Sequence, residues 1–132
     1  MTEKFKVSTK SRSDFVDITS SVDAIIRKSG IKSGICHVFI PHTTAGVTIN
    51  ENADPDVTSD MISQLDKMVP WSAGYHHFEG NSAAHIKASM MGFTVIIPIE
   101  NERLVFGTWQ CIYFCEFDGP RNRTVLVTVT GE

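Results

Sequence analysis

A segment of fifteen residues near the middle of the chain holds most of the side chains that could bind a metal or move a proton. This segment, residues 75–89, reads YHHFEGNSAAHIKAS and combines three histidines, a glutamate, an asparagine and two serines around one glycine. Two shorter polar clusters, residues 42–44 (HTT) and 118–121 (DGPR), follow apolar runs at points where strands should end. We therefore expect the three segments to form the walls of one site.

The histidines best placed for a metal are His42, His77 and His85. Three neutral imidazoles with one open coordination position are the arrangement that a catalytic zinc ion prefers. A histidine in an apolar setting is more often a hydrogen-bonded structural residue, so the spacing alone leaves both interpretations open. His76 should point to solvent, because neighbouring side chains of an extended chain point in opposite directions.

The loop between the second and third of these histidines offers a carboxylate and a cradle for an anion. Glu79 could act as a general base or as a further metal ligand, and a solvated loop charge is the alternative. Asn81 and Ser82 precede a predicted helix, whose free amides and dipole favour a phosphate at its start. A plain turn and helix cap is the alternative for these two residues.

Two arginines after a Gly-Pro turn provide a second place to bind a phosphate. Arg121 and Arg123 alternate on a predicted strand, so they could clamp a phosphate from one side, or they could form a solvated pair on an edge strand. Thr43 and Thr44 could donate hydroxyl hydrogen bonds to the same anion. Gln110 lies in an apolar run, so we expect its side-chain amide to be buried and to form hydrogen bonds with the ligand or with the loop.

Hydrophobic periodicity predicts the strands and helices that would position these groups. We expect strands over residues 5–11, 34–40, 46–50, 93–99, 104–117 and 123–130. We expect one helix capped by the hydroxyls of residues 19–21, one capped by Asp54 with Pro55 in its first turn, and one capped by Ser82. Ile86 and Met90 should face the core from this last helix. The pattern is typical of one α+β domain over residues 1–132, mainly an antiparallel β-sandwich with two or three helices.

The overall composition is that of an ordinary globular domain, with 42% hydrophobic and 20% charged residues. A net charge of -3 argues against a partner that is a nucleic acid or an anionic membrane. No apolar run is long enough to span a bilayer, and the first residues lack the apolar part of a secretory signal, so we expect a cytoplasmic protein. Cys36, Cys111 and Cys115 lie in apolar runs and should be buried free thiols, with a zinc pair at the last two as the alternative.

Five polar segments together make the sequence similar to the YjbQ-like family, whose members are sometimes called secondary thiamine-phosphate synthases. They are residues 41–45 (PHTTA), 48–54 (TINENAD), 75–89, 107–110 (GTWQ) and 116–121 (EFDGPR), in this order. The resemblance implies a compact β-rich fold that assembles as a homotrimer, with the motif residues in a pocket at or near the subunit boundary.

The resemblance also implies a weak ability to join a hydroxymethylpyrimidine diphosphate to a thiazole phosphate, releasing pyrophosphate. The resemblance implies a bound metal or anion at the histidines, and the expected cofactor is a divalent metal ion such as zinc, held by His42, His77 and His85. The expected catalytic residues are Glu79 and Arg121. The residues expected to bind the phosphorylated substrate are Thr43, Thr44, Asn50, Asn81, Ser82, Gln110 and Arg123. The alternative is a non-catalytic module that binds a metal or a phosphorylated ligand.

Overall fold

Alternating apolar and polar residues form two antiparallel β-sheets, and three helices connect and cover them. The computed structural model describes residues 1–132. The strands are β1 (Thr2–Ser8), β2 (Asp14–Asp17), β3 (Ser33–Phe39), β4 (Ala45–Glu51), β5 (Thr94–Glu100), β6 (Arg103–Leu104), β7 (Gln110–Glu116) and β8 (Asn122–Gly131). The helices are α1 (Thr19–Ser29), α2 (Pro55–Met68) and α3 (Ser82–Met91). The predicted α+β class is therefore confirmed.

The main core lies between the two sheets. The larger sheet has the strand order β1-β8-β3-β5-β6 and the smaller one the order β2-β7-β4, with antiparallel pairing throughout. Side chains at alternate positions of each strand face the opposite sheet, which buries Val38, Ile97, Val127, Val47 and Phe114. The apolar face of α1 adds to this core, so the two sheets form the expected sandwich.

A second, smaller core lies on the other face of the three-stranded sheet, under α3. Ala84 and Ala88 of α3 pack there against Cys115 and Phe117. The helix approaches β4 so closely that a β-carbon at Gly46 would lie 2.6 Å from the carbonyl oxygen of Gly92. Small residues on both elements allow this approach, and it holds the end of α3 against β4.

Two of the predicted helix ends are confirmed. Asp54 accepts a hydrogen bond from the amide of Asp56 at 2.9 Å, with Pro55 as the first residue of α2. Gly30 ends α1 in the left-handed conformation, with φ of 71°. None of the three helices is both long enough and apolar enough to cross a lipid bilayer.

The predicted caps of the other two helices are wrong. At α1 the carboxylate of Asp17 accepts a hydrogen bond from the amide of Thr19 at 2.9 Å, whereas the Thr19 hydroxyl accepts one from the amide of Ile112. The hydroxyl therefore ties the helix to β7 instead of capping it. At α3 the cap position is Asn81, and Ser82 is already helical.

The predicted core face of α3 is also wrong. Ile86 and Met90 are 40% and 46% exposed, and the buried positions are Ala83, Ala84, Lys87 and Ala88. The close contact with β4 leaves room only for small side chains, so the larger apolar residues turn outward. The predicted strand over residues 104–117 is divided, because irregular chain separates β6 from β7.

Candidate functional site

One pocket of about 480 Å³ joins the three polar segments, and we call it the polar pocket. None of its lining residues is hydrophobic; they are Pro41, His42, Thr43, Thr44, His77, Glu79, Asn81, His85, Asp118, Arg121 and Arg123. A larger cavity of about 640 Å³ lies between α1 and the turn from β5 to β6, but it contains none of the predicted site residues. We place the site in the polar pocket because the candidate ligands meet there.

Strand register explains why distant segments meet at this end of the sandwich. In the small sheet Ala45 pairs with Glu116, so the start of β4 lies beside the end of β7. In the large sheet Phe39 pairs with Leu126, so the end of β3 lies near the start of β8. The loops that follow these ends contain the HTT and DGPR clusters, and α3 begins next to them.

The base of the pocket is a buried ion pair. Glu116 is fully buried and accepts hydrogen bonds from Nε and Nη2 of Arg123, from the Thr9 hydroxyl at 2.8 Å, and from two backbone amides just after it. Burial alone would raise the pKa of Glu116, but the hydrogen bonds from Arg123 and Thr9 outweigh it and lower that pKa. Nη2 of Arg123 also donates to the Thr44 hydroxyl at 2.8 Å.

The two arginines of the predicted phosphate clamp have different environments. Arg123 is buried on β8, an inner strand, and its guanidinium binds Glu116. The Arg121 side chain is 53% exposed and pairs with Asp118 at 3.0 Å. Only Arg121 is therefore placed to reach a ligand from the pocket rim, while Arg123 holds the pocket floor.

Asp118 connects the turn to the start of α3. One of its carboxylate oxygens accepts hydrogen bonds from Arg121 at 3.0 Å and from Nδ2 of Asn81 at 2.9 Å. The other side-chain atom of that asparagine, Oδ1, is buried and has no hydrogen-bond partner. An unpartnered acceptor is costly to bury, so this oxygen is suited to a ligand that brings a cation or a hydrogen-bond donor.

The three histidines all border the polar pocket but differ in the atoms they offer. The rings of His77 and His85 meet edge to face with their centroids 5.5 Å apart, and Nε2 of His77 lies 3.9 Å from a carboxylate oxygen of Glu79. His42 instead accepts a hydrogen bond at Nε2 from the amide of Thr124, at 2.9 Å. A neutral imidazole that accepts at Nε2 has its proton on Nδ1, so His42 offers the pocket a donor.

Burial, followed by the charge of Arg123, lowers the pKa of His42 below its ordinary value, which keeps the ring neutral near pH 7.

No group of three or more His, Cys, Asp or Glu side chains has the arrangement of a metal site. The chemistry of His77, His85 and the free oxygen of Asn81 nevertheless fits a divalent ion. His42 does not fit, because the amide of Thr124 donates to Nε2, which is the only ring nitrogen with a lone pair when the proton is on Nδ1.

Three predicted substrate-binding residues lie outside the polar pocket. Ser82 lines an adjoining groove that it shares with His77 and His85. Asn50 and Gln110 lie at the far end of the small sheet, near the pairing of Glu51 with Gln110. Gln110 is exposed and accepts a hydrogen bond from the amide of Gly107, so the prediction that it is buried is wrong.

Sequence reasoning missed the roles of Glu116 and Asp118, although both occur in residues 116–121, one of the segments on which the family resemblance rests. The signal for Glu116 is present, because it is the one charged residue in the run CIYFCEF. A charge in such a run requires a buried partner of opposite charge. Arg123 lies on the next strand along the chain and is a candidate for that partner.

Comparison with known proteins agrees with the fold and with the family resemblance. Residues 3–132 match the family model described as UPF0047 protein YjbQ-like. The UPF0047 protein YugU of Bacillus subtilis is 48% identical over 132 residues, which cover 99% of this chain and 100% of that protein. The UPF0047 protein MJ1081 of Methanocaldococcus jannaschii is 46% identical and covers 98% of this chain and 94% of its own.

Solved structures show the same architecture. A crystal structure of an uncharacterized conserved protein of the YjbQ/UPF0047 family from Clostridium acetobutylicum has a TM-score of 0.96 at 53% identity, covering 97% of this chain and 99% of that one. A YbjQ-like protein of unknown function from Sulfolobus solfataricus has a TM-score of 0.96 at 36% identity, covering 100% of this chain and 97% of that one. The chain belongs to the YjbQ-like UPF0047 protein family.

Proposed function

We propose that the polar pocket binds a small phosphorylated ligand and that the protein is a weak thiamine-phosphate synthase. The reaction would join a hydroxymethylpyrimidine diphosphate to a thiazole phosphate and release pyrophosphate. The observation that supports it is a ligand-sized pocket without a single hydrophobic lining residue, into which donors from three separate segments converge. These donors include the Nδ1 proton of His42, the hydroxyl of Thr43 and the guanidinium of Arg121.

The balance of charge in and below this pocket supports a divalent cofactor. Three carboxylates, of Glu79, Glu116 and Asp118, face two guanidinium groups, of Arg121 and Arg123, so one negative charge is in excess while the histidines are neutral. A pyrophosphate entering such a site would be repelled. A bound divalent ion would reverse the sign of this net charge.

We propose His77 and His85 as the ligands of this ion, zinc being the candidate, with the free oxygen of Asn81 in the same pocket. His42 would join them only after the Thr124 amide releases its Nε2. When bound, the ion would supply positive charge to the diphosphate oxygens.

The proposed reaction needs charge stabilisation more than proton transfer. The bond between the pyrimidine methylene carbon and the diphosphate oxygen breaks, and the diphosphate leaves with the bonding electrons. The lone pair of the thiazole nitrogen then forms the new C–N bond, so no proton has to be removed. Arg121 at the rim would bind the departing diphosphate, and the carboxylate of Glu79 would stabilise the positive charge that grows on the methylene carbon.

The direct assay is formation of thiamine phosphate from the two substrates, measured by chromatography. We expect product to accumulate with the purified protein and zinc. Pyrophosphate binding without any product would instead favour the second candidate.

The second candidate is a non-catalytic module that binds a metal or a phosphorylated ligand at the same place. One observation favours it: Glu79 and Arg121 have side chains that are 59% and 53% exposed. Electrostatic catalysis is strongest where water is excluded, and these two groups lie at the wet rim of the pocket. In this case substitution of either residue would leave the rate of any residual turnover unchanged.

We further propose a homotrimer that is assembled through the outer face of the five-stranded sheet. The centre of this face exposes three large apolar side chains, Ile35 and Phe39 on β3 and Ile96 on β5, with the half-buried His37 among them. Its rim is polar, with Lys4 and Lys6 at the β1 edge and Glu100 beside Arg103 at the far corner. Such a face is typical of a protein interface, and a cyclic trimer requires a head-to-tail contact between copies.

This face also reaches the polar pocket, because the β8 residue Thr124 binds His42 at its end. We expect Ile96→Glu to reduce the assembly to monomers, since it places a charge at the apolar centre of the contact. Light scattering coupled to size-exclusion chromatography would measure the mass. Met68→Glu, at an exposed methionine of α2, is the matched control and should keep the wild-type mass. An Ile96→Glu protein of unchanged mass would contradict this assignment.

The proposed compartment is the cytoplasm. All three cysteines are buried and free, and burial raises the pKa of Cys36 and of Cys111 to about 11. Unpaired thiols are typical of a reducing compartment.

A further inference from the structure

A separate cavity of about 550 Å³ lies between the loop after β1, the end of α2 and the buried face of α3. We call it the Trp71 pocket. Its lining residues are Ser11, Arg12, Ser13, Ile62, Asp66, Pro70, Trp71 and Lys87. None of them belongs to the polar pocket. Lys87 follows His85 by two helical positions, which places the two side chains on roughly opposite sides of α3.

Lys87 is the unusual member of this cavity. It is only 3% exposed, although lysine is rarely buried without full pairing. Its ammonium group has three hydrogens to donate and binds one acceptor, the carboxylate of Asp66, whose own side chain is 57% exposed. One half-solvated carboxylate compensates a buried ammonium poorly. The site therefore has unused capacity to donate to a ligand.

Arg12 adds a second positive charge. Its guanidinium carbon lies 4.0 Å from the ring centroid of Trp71, and its side-chain N–H groups make no hydrogen bond or ion pair within the chain. Stacking on the indole holds the guanidinium plane and leaves its N–H edge available. The stacking therefore orients a guanidinium group that has no anionic partner.

Charge and shape together define the class of ligand. Two cations, Arg12 and Lys87, face one carboxylate, Asp66, so the pocket has a positive charge in excess while the whole chain is acidic. Trp71 and Ile62 provide an apolar wall beside these charges. We propose that the Trp71 pocket binds a small organic anion, with its carboxylate or phosphate on Lys87 and Arg12 and its apolar part against Trp71.

The test uses the fluorescence of Trp71 in a Trp109→Phe protein, which leaves Trp71 as the only tryptophan. Phenyl phosphate and benzoate are the probes, and uncharged benzyl alcohol is the control ligand. We expect saturable binding of at least one anion and none of the alcohol. The anion that binds more tightly identifies the head group.

Two arginine variants make the test specific. Arg12→Ala should weaken anion binding about 10-fold or more, because a charge-assisted hydrogen bond is lost. Arg121→Ala, the matched exposed arginine of the polar pocket, should leave the affinity unchanged, which keeps this result independent of the proposed function. Lys87→Gln should weaken binding similarly, with circular dichroism to confirm folding. Equal binding of the alcohol, no saturation, or an affinity that Arg12→Ala leaves unchanged would overturn the proposal.

Discussion

We expect the Glu116→Ala variant to lose about 3–5 kcal/mol of unfolding free energy, the usual cost of removing one partner of a buried ion pair. Arg123 would remain buried with the Thr44 hydroxyl as its only remaining side-chain acceptor. The hydroxyl of Thr9 would lose its carboxylate acceptor as well. Urea unfolding followed by circular dichroism measures the difference.

The control for this variant is Glu79→Ala, because Glu79 has an exposed side chain. We expect that change to stay within about 0.5 kcal/mol of the wild type. A double variant, Glu116→Leu with Arg123→Met, should be more stable than Glu116→Ala, because it leaves no unpaired charge. A Glu116→Ala protein as stable as the control would contradict the structural role of the pair.

The pH dependence of the unfolding free energy tests the same ion pair in a second way. The folded-state pKa of Glu116 is lowered, so its contribution to stability is fully present above the unfolded carboxyl value of about 4.3. It is lost as the pH falls through the lower folded value. The wild type should therefore lose stability below about pH 4 more steeply than Glu116→Gln does.

The second large effect concerns turnover. We expect Glu79→Gln to lower the kcat for thiamine phosphate formation by about 10²- to 10³-fold, the usual cost of losing a group that stabilises transition-state charge. The amide keeps the size of the side chain but removes its negative charge. KM should change little, because the methylene carbon becomes positive only in the transition state.

Asp60→Asn provides the matched control, since it removes an exposed carboxylate from α2. We expect its rate to equal that of the wild type. If Glu79→Gln also keeps the wild-type rate, turnover does not depend on this carboxylate, and the result favours the non-catalytic binding module.

Much of the fold follows from local signals in the sequence. Hydrophobic patterning predicts most of the strands, although it does not predict β2. Asp54 with Pro55 predicts the start of α2, and Gly30 predicts the end of α1. These features depend on a few neighbouring residues. The density of polar groups in the three segments also predicts a site, but strands end at both ends of a sandwich, so strand pairing decides that these loops meet.

The features that escaped prediction depend on contacts between distant residues. The orientation of α3 is set by its close approach to Gly46, which no periodicity in the helix reveals. The pairing of Glu116 with Arg123 depends on how β7 and β8 face each other across the sandwich. The tautomer of His42 depends on a hydrogen bond to Thr124, 82 residues away.

The most direct test of the polar pocket is calorimetric titration of pyrophosphate into the protein with and without zinc. With zinc we expect saturable binding, and binding about 10-fold weaker or more when the metal is withheld or when His77→Ala or His85→Ala removes a ligand. Pyrophosphate affinity that is the same in all these proteins, with and without zinc, would contradict the proposed site.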